Sequence, residues 1–311
     1  MSSIIERKRI VTAGSTYLDI DAYACSIALA ELLRLQGMNA IAWSDAPCNY
    51  SVCPSLAGEG QMATALPVDF DPGELQYIIV DVSDPDYIKD AVPLSQIVAV
   101  YDHHVGFEEY WRSRIGGDSH IEFIGAAATL IFREWKAAGL VHKMSRQSAR
   151  LLIAAILDNT LNLTSSNTTD EDVEAFRELC AHAAVDESWC AAYFAEVQQS
   201  VEADLKNALF HDMKNLRGHP VLPEHIAQLC VWDAASVLER LPNIRQWFDG
   251  LQSWMINIID IRQRCSWFVC PDEHQQKELE RHFGVQFHSD AARSSVSYLR
   301  KEIIKKTQPT H

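Results

Sequence analysis

The sequence predicts an α/β protein: a doubly wound parallel sheet with a second, smaller α/β domain. Short apolar runs alternate with longer stretches of helical periodicity up to about residue 185. Acidic residues follow several of these runs at their carboxyl ends, where open parallel sheets place their ligands. A second alternation begins at residue 226. A chain of 311 residues exceeds the usual single-domain size of ~100–150, so the expected domains are residues 1–192 and 193–311, with the active site in the cleft between them.

The first apolar run, residues 10–13, leads through the loop 14–18 to Asp19 and Asp21. Residues 22–36 read as a helix stopped by Gly37, and 40–43 as the next strand. Residues 77–80 and 97–100 are short and apolar enough to be buried strands, and each ends on an acid-bearing segment. A strand over 120–124 precedes helices over 126–138 and 145–157, with Asp158 just beyond the second. The hydroxyls of 165–169 read as capping groups for a helix over 171–184. The stretch 185–216 reads as mostly helical, and strands recur at 226–231, 254–261 and 266–270.

With 48% hydrophobic and 22% charged residues the chain can bury a core and is not a disordered polypeptide. No run approaches the roughly 20 apolar residues that cross a bilayer, and the start lacks the apolar centre of a secretion signal. A cytoplasmic protein without a membrane partner is expected. The net charge of −15 argues against stable nucleic-acid binding, which needs a basic surface. It leaves room for a small anionic phosphate substrate held through cations. The eight cysteines, at 25, 48, 53, 180, 190, 230, 265 and 270, form no C-x-x-C pair and read as reduced thiols. The sequence leaves a homodimer open.

Tyr101-Asp102-His103-His104 stands directly after the run 97–100. An acid and two imidazoles on one strand-end loop, together with Asp19, Asp21, Asp81 and Asp158, suggest one metal pocket. Clustered carboxylates repel one another and need cations. Carboxylate with a minority of imidazole and no thiolate suits Mn²⁺, or Mg²⁺ or Co²⁺, better than structural zinc. Two such ions can activate water and clamp a leaving oxygen, which suits phosphoryl transfer to water. Each element has a plainer reading: an isolated D-x-D is more often a helix cap, and a Lys or Arg is most often solvated.

Asp19-Ile20-Asp21, Asp81, Asp102-His103-His104 and Asp158 resemble, in order and spacing, the motif series of the DHH phosphoesterase superfamily. In the second half Asp212-Met213-Lys214, Ile226-Ala227-Gln228 and Arg300-Lys301 are similar to motifs of the C-terminal domain in family II inorganic pyrophosphatases and exopolyphosphatases. The segment 156–161 and Thr168-Thr169-Asp170 resemble the pyrophosphatase stretch bearing the fourth acid.

The resemblance implies that Asp19, Asp21, Asp81, His103 and Asp158 ligate two ions, with Asp81 as the bridge. It makes His104 the group that contacts or protonates phosphate, and Asp102 its orienting partner or that of His103. It gives Lys214, Arg300 and Lys301 to phosphate binding. The implied activity is metal-dependent hydrolysis of phosphoanhydride bonds in pyrophosphate or polyphosphate, with attack by a metal-bound hydroxide.

Two departures keep alternatives in play. Ser15 stands where pyrophosphatases carry a histidine ligand, as exopolyphosphatases also lack it. Val82-Ser83 stands where both usually carry histidine and asparagine, and this segment looks more like the oligonucleotide and nucleotide phosphatases of the superfamily. A phosphodiesterase or nucleotide phosphatase acting on short oligonucleotides or nucleoside phosphates is therefore the alternative, favoured if Tyr17, Tyr23, Tyr87 or Phe107 faces the cleft. The absence of any Gly-Gly-Gly-His weighs against it. A non-enzymatic interaction protein with a degenerate site ranks last.

Overall fold

The computed structural model describes residues 8–14, 18–58, 62–66 and 72–308, so the expectations for Ser15 and Tyr17 lie outside the described residues. The chain divides into two compact units, Met1–Tyr193 and Phe194–His311.

In the first unit the strands β1 (Lys8–Thr12), β2 (Ala40–Trp43), β3 (Met62–Ala63), β4 (Leu75–Val80), β5 (Ile97–Asp102) and β6 (Ser119–Ile121) form one sheet in the order β3-β2-β1-β4-β5-β6. Every neighbouring pair is parallel. The chain winds outward from β1 through β2 and β3, then returns to the other side of β1 with β4. Loops leaving β1 and β4 therefore diverge, and the order reversal opens a crevice at their carboxyl ends. Asp19 follows the first of these strands and Asp81 the second.

Helix α1 (Ile20–Leu35) connects β1 to β2, and the short α2 (Pro54–Ala57) precedes β3. The short α3 (Pro85–Ile88) follows β4, and α4 (Glu108–Ile115) joins β5 to β6. Beyond the sheet come α5 (Ala127–Ala137), α6 (Arg146–Asn159) and α7 (Asp170–Ala183). Nearly all of α1 is buried, including all of its first eleven residues, because it lies between the sheet and α6. A helix enclosed on both sides carries apolar residues all round rather than a stripe. The other face of the sheet packs Ile10, Tyr77, Ile79, Val100 and Trp111 into a second apolar cluster. Each such side chain contributes roughly 1.5–3 kcal/mol on burial.

The two largest buried rings also satisfy their polar ends, as buried tryptophans generally must. Trp111 Nε1 donates to the Ser83 carbonyl at 2.6 Å and Trp135 Nε1 to the Ala28 carbonyl at 3.1 Å. The capping reading of residues 165–169 agrees with the structure. Thr169 caps α7 and forms a reciprocal pair with Asp172.

The division between units falls within α8 (Glu187–Ala203), which is followed by α9 (Leu205–His211). The second unit's strands are β7 (Lys214–Asn215), β8 (His225–Val231), β9 (Trp254–Asp260), β10 (Cys265–Val269), β11 (Phe287–His288) and β12 (Ala291–Arg293). They form a sheet in the order β11-β12-β10-β9-β8-β7. Only β8 and β9 are parallel, with α10 (Ala235–Glu239) and α11 (Leu241–Phe248) between them, and the remaining pairs are antiparallel. Helix α12 (Glu273–Phe283) precedes β11, and α13 (Arg300–Lys306) ends the unit.

The mostly helical reading of 185–216 is corrected at its end: Lys214 and Asn215 pair with Ile226 and His225 as a strand. The strand expected over 120–124 is also shorter, because Glu122 N–H turns to the Asp102 carbonyl and the chain then leaves the sheet.

Candidate metal centre

Asp81 is the first residue beyond β4 and has a φ of 59°, a left-handed conformation that costs a non-glycine residue energy. Its amide donates to the Tyr101 carbonyl at 2.8 Å, which fixes the turn against β5. The side chain is only 6% exposed, and its Oδ1 is buried without a hydrogen-bond partner among the described residues.

Facing Asp81 Oδ1 at 3.4 Å is His103 Nε2. The other ring nitrogen, Nδ1, lies 3.2 Å from the Ile124 carbonyl, which can only accept. The neutral ring therefore carries its hydrogen on Nδ1 and turns a lone pair toward the Asp81 oxygen. Two buried acceptors that close are stable with a cation between them, and a backbone carbonyl behind the far nitrogen is the usual support of a ligating histidine.

His104 completes the group. Asp81, His103 and His104 each offer a ligand atom, all within 4.8 Å of one another. His104 Nδ1 pairs with Asp102 Oδ1 at 2.9 Å, its amide donates to the same oxygen, and its ring is 63% exposed. Burial works to raise the Asp102 carboxyl, but the His104 ring beside it prevails and holds it below its ordinary range. Behind this loop the buried Ser83 donates its hydroxyl to the His104 carbonyl at 3.1 Å.

Of the other expected ligands, Asp19 lines the cleft beside this trio, and Asp21 and Asp158 are not part of the group within 4.8 Å. Asp19 caps α1, accepting from Ala22 N–H at 2.9 Å, and lines the same cleft as Asp81 and His104. Asp21 is fully buried, and its two oxygens accept from Ala127 and Ala128 N–H at 2.8 Å each, with the Cys25 thiol at 3.3 Å. It thus serves the N-terminus of α5, a favourable place for a carboxylate. Asp158 lies in the last turn of α6, and Tyr193 Oη donates to its Oδ1 at 3.1 Å.

Burial, then the charges of Asp19, Asp21 and Asp102, push the Asp81 carboxyl well above its usual value. Burial and Asp19 push Asp21 up to about 7, and the same two causes push Asp158 up to about 7. Asp19 acts electrostatically on Asp21, Asp81 and Asp158, all three of which resist ionisation, and carboxylates of this kind suit hard divalent cations.

In the second unit Lys214 and Lys301 are exposed. The Arg300 fork is taken up by Asp212, with Nη1 3.1 Å from Oδ2 and Nη2 2.9 Å from Oδ1, and Nη1 also meets the Asp212 carbonyl. Arg300 is therefore an anchor of the segment bearing Lys214 rather than an unengaged cation.

Three contributors escape sequence reasoning. The Ile124 carbonyl is backbone and carries no side-chain signal. Ser83 stands out in the sequence only as a departure from the pattern of the resembled family. Tyr193 lies 35 positions from Asp158 in a helix with no motif around it.

Carboxylates and imidazoles gather at the switch point of a doubly wound sheet. No family model matches the sequence. The chain is 25% identical over 308 residues to a Deinococcus radiodurans protein described as a probable manganese-dependent inorganic pyrophosphatase, covering 93% of each. An Exiguobacterium protein of the same description is 27% identical over 242 residues, covering 74% of each. Among solved structures, a Methanococcus jannaschii protein described as a family II inorganic pyrophosphatase superposes with a TM-score of 0.63 at 18% identity, over 96% of this chain and 98% of that one. A Bacteroides fragilis exopolyphosphatase-related protein gives 0.52 at 13% identity, over 96% and 90%. The resemblance to inorganic pyrophosphatases of the manganese-dependent, family II type therefore holds in sequence and in fold, and that to an exopolyphosphatase-related protein in fold alone.

Proposed function

We propose that the protein is a divalent-metal-dependent phosphohydrolase that cleaves phosphoanhydride bonds of the pyrophosphate and polyphosphate type, with Mn²⁺ as its preferred ion. The observation that carries this reading is the buried Asp81 Oδ1 facing His103 Nε2 at 3.4 Å, within a cluster of acids that burial and one another keep from ionising. Relatives described as manganese-dependent pyrophosphatases support both the metal and the bond type.

Asp81 and His103 would hold the cation, with Asp19, Asp21 and Asp158 completing the donor set for two ions. A bound divalent ion lowers the pKa of water and neutralises charge on the transferring phosphoryl group. The chain's own residues do the rest. Asp102 keeps the hydrogen of the His104 ring on Nδ1 when the ring is neutral. In the protonated ring Nε2 holds a proton that it can give to the departing phosphate oxygen as the P–O bond to that oxygen breaks. Lys214 and Lys301 are assigned to phosphate binding, and Arg300, engaged by Asp212, to holding the segment that bears Lys214.

The test is phosphate release from pyrophosphate, tripolyphosphate and long polyphosphate with Mn²⁺, Mg²⁺ or Co²⁺. Turnover is expected with Mn²⁺, is lost on His103→Gln with the fold retained, and shows a raised KM on Lys214→Ala. Absence of turnover with every ion and substrate contradicts the proposal.

A further inference from the structure

We infer that the phosphoanhydride this site takes is capped on one side by a nucleoside, as in a nucleoside di- or triphosphate, with the base resting against Tyr87. The inference depends on the hydrolase reading above and names its substrate class.

The cleft beside Asp81 and His104 has a volume of about 360 Å³, within the range of small-molecule sites. Its polar end is the candidate metal centre. The same cleft is also lined by Val82, Tyr87, Val105 and Phe107, with Asp84 among them and no lysine or arginine from the described residues. Tyr87 is 41% exposed and Val105 is 55% exposed. The Tyr87 ring is not loose: its Cε1 and Cδ1 lie 3.5 and 3.6 Å from where a Cβ on Gly14 would stand, so the ring rests on the end of β1.

Such a wall fits bare pyrophosphate poorly. Phosphate oxygens pressed against carbon lose water and gain no hydrogen bond, and the Asp84 carboxylate repels them. Both features suit a nucleoside. A base presents a π-face that stacks on an aromatic ring with little loss of hydration, and ribose hydroxyls can donate to a carboxylate. Asp84 Oδ1 already accepts from Asp86 N–H at 2.9 Å, which holds its side chain in place and leaves the second oxygen for such a donor. The Ser83 hydroxyl is occupied by the His104 carbonyl, so Asp84 and the apolar wall set the character of this end. For ADP the balanced reaction is ADP plus water to AMP and orthophosphate: the anhydride P–O bond breaks, water oxygen joins the released phosphate, and the leaving oxygen stays on AMP.

The test compares kcat/KM for ADP and ATP with that for pyrophosphate and tripolyphosphate, using the full chain with Mn²⁺, before and after Tyr87→Ala. In parallel, calorimetry measures binding of AMP against orthophosphate to both forms. The capped substrates are expected to be preferred, and Tyr87→Ala to cut that preference by roughly 5- to 100-fold, as loss of one stacked base does. AMP should bind more tightly than orthophosphate and lose that advantage in the variant. Equal or better use of the bare anhydrides, or a preference that Tyr87→Ala leaves untouched, overturns the inference while leaving the hydrolase reading intact. If no anhydride is hydrolysed, the hydrolase reading fails, and AMP binding no tighter than orthophosphate then overturns the nucleoside pocket as well.

Discussion

A left-handed aspartate at the end of a buried strand is a stored cost, of order 1–3 kcal/mol for such backbone, and Asp81 adds to it a carboxyl surrounded by other acids. Asp81→Gly removes the strain and the repulsion together. It should raise the melting temperature of the metal-free protein by a few degrees, at about 2–4 °C per kcal/mol for a domain this size, while Mn²⁺ binding by calorimetry is lost. A lower melting temperature would mean that the conformation is not under strain. Tyr193 acts through Asp158, its hydroxyl lying between that carboxylate and the Ser51 carbonyl, 3.1 and 3.2 Å away. Tyr193→Phe keeps the ring and should weaken Mn²⁺ about 10–100-fold, the usual loss when a partner behind a metal ligand is removed. Turnover should return at saturating Mn²⁺. A purely structural tyrosine would lower the melting temperature and leave the Mn²⁺ affinity unchanged.

The elements that carry the site differ in how openly the sequence announces them. β4 and β5 are continuous apolar runs because parallel strands are covered on both faces, and that signature is hard to mistake. The meeting of Asp81 with His103 and His104 was legible for the same reason, since adjacent parallel strands deliver their following residues to one edge. β3, β7 and β11 span two residues each, too short for any periodicity, and nothing local marks the pairing of Lys214 with β8. Taken alone, Asp19-Ile20-Asp21 reads more often as a helix cap than as a ligand pair, and the structure shows Asp21 capping α5 outright. The approach of α5 to α7 is set by Gly125, where a Cβ would stand 2.5 Å from Asp172 Oδ2 and 2.7 Å from Thr160 Cγ2. Asp172 also accepts from Gly125 N–H, Thr129 and Thr169, so it cannot yield easily. Gly125→Ala should destabilise the protein by roughly 1–3 kcal/mol, read as a lower denaturation midpoint. An unchanged midpoint would show that this junction is slack.

At the scale of the molecule, the net charge of −15 and the acid cluster make the folded chain depend on pH in a definite direction. Asp21 and Asp158 have carboxyls raised to about 7, and Asp81 is raised as well, so the metal-free folded state binds more protons than the unfolded chain. Their contribution to stability is fully present below about pH 4 and is lost as the pH climbs through 7. The metal-stripped protein should therefore melt at a lower temperature at pH 8 than at pH 5, and Mn²⁺ should reverse the loss at pH 8. A metal-free protein equally stable at both would remove the electrostatic case for the site. None of the helices among the described residues is long and apolar enough to cross a membrane. The most direct test is anomalous diffraction at the manganese absorption edge from crystals grown with Mn²⁺. A peak within bonding distance of both Asp81 Oδ1 and His103 Nε2 is expected; a saturated crystal in which those two atoms still face each other with no peak between them would contradict the metal centre and the hydrolase built on it.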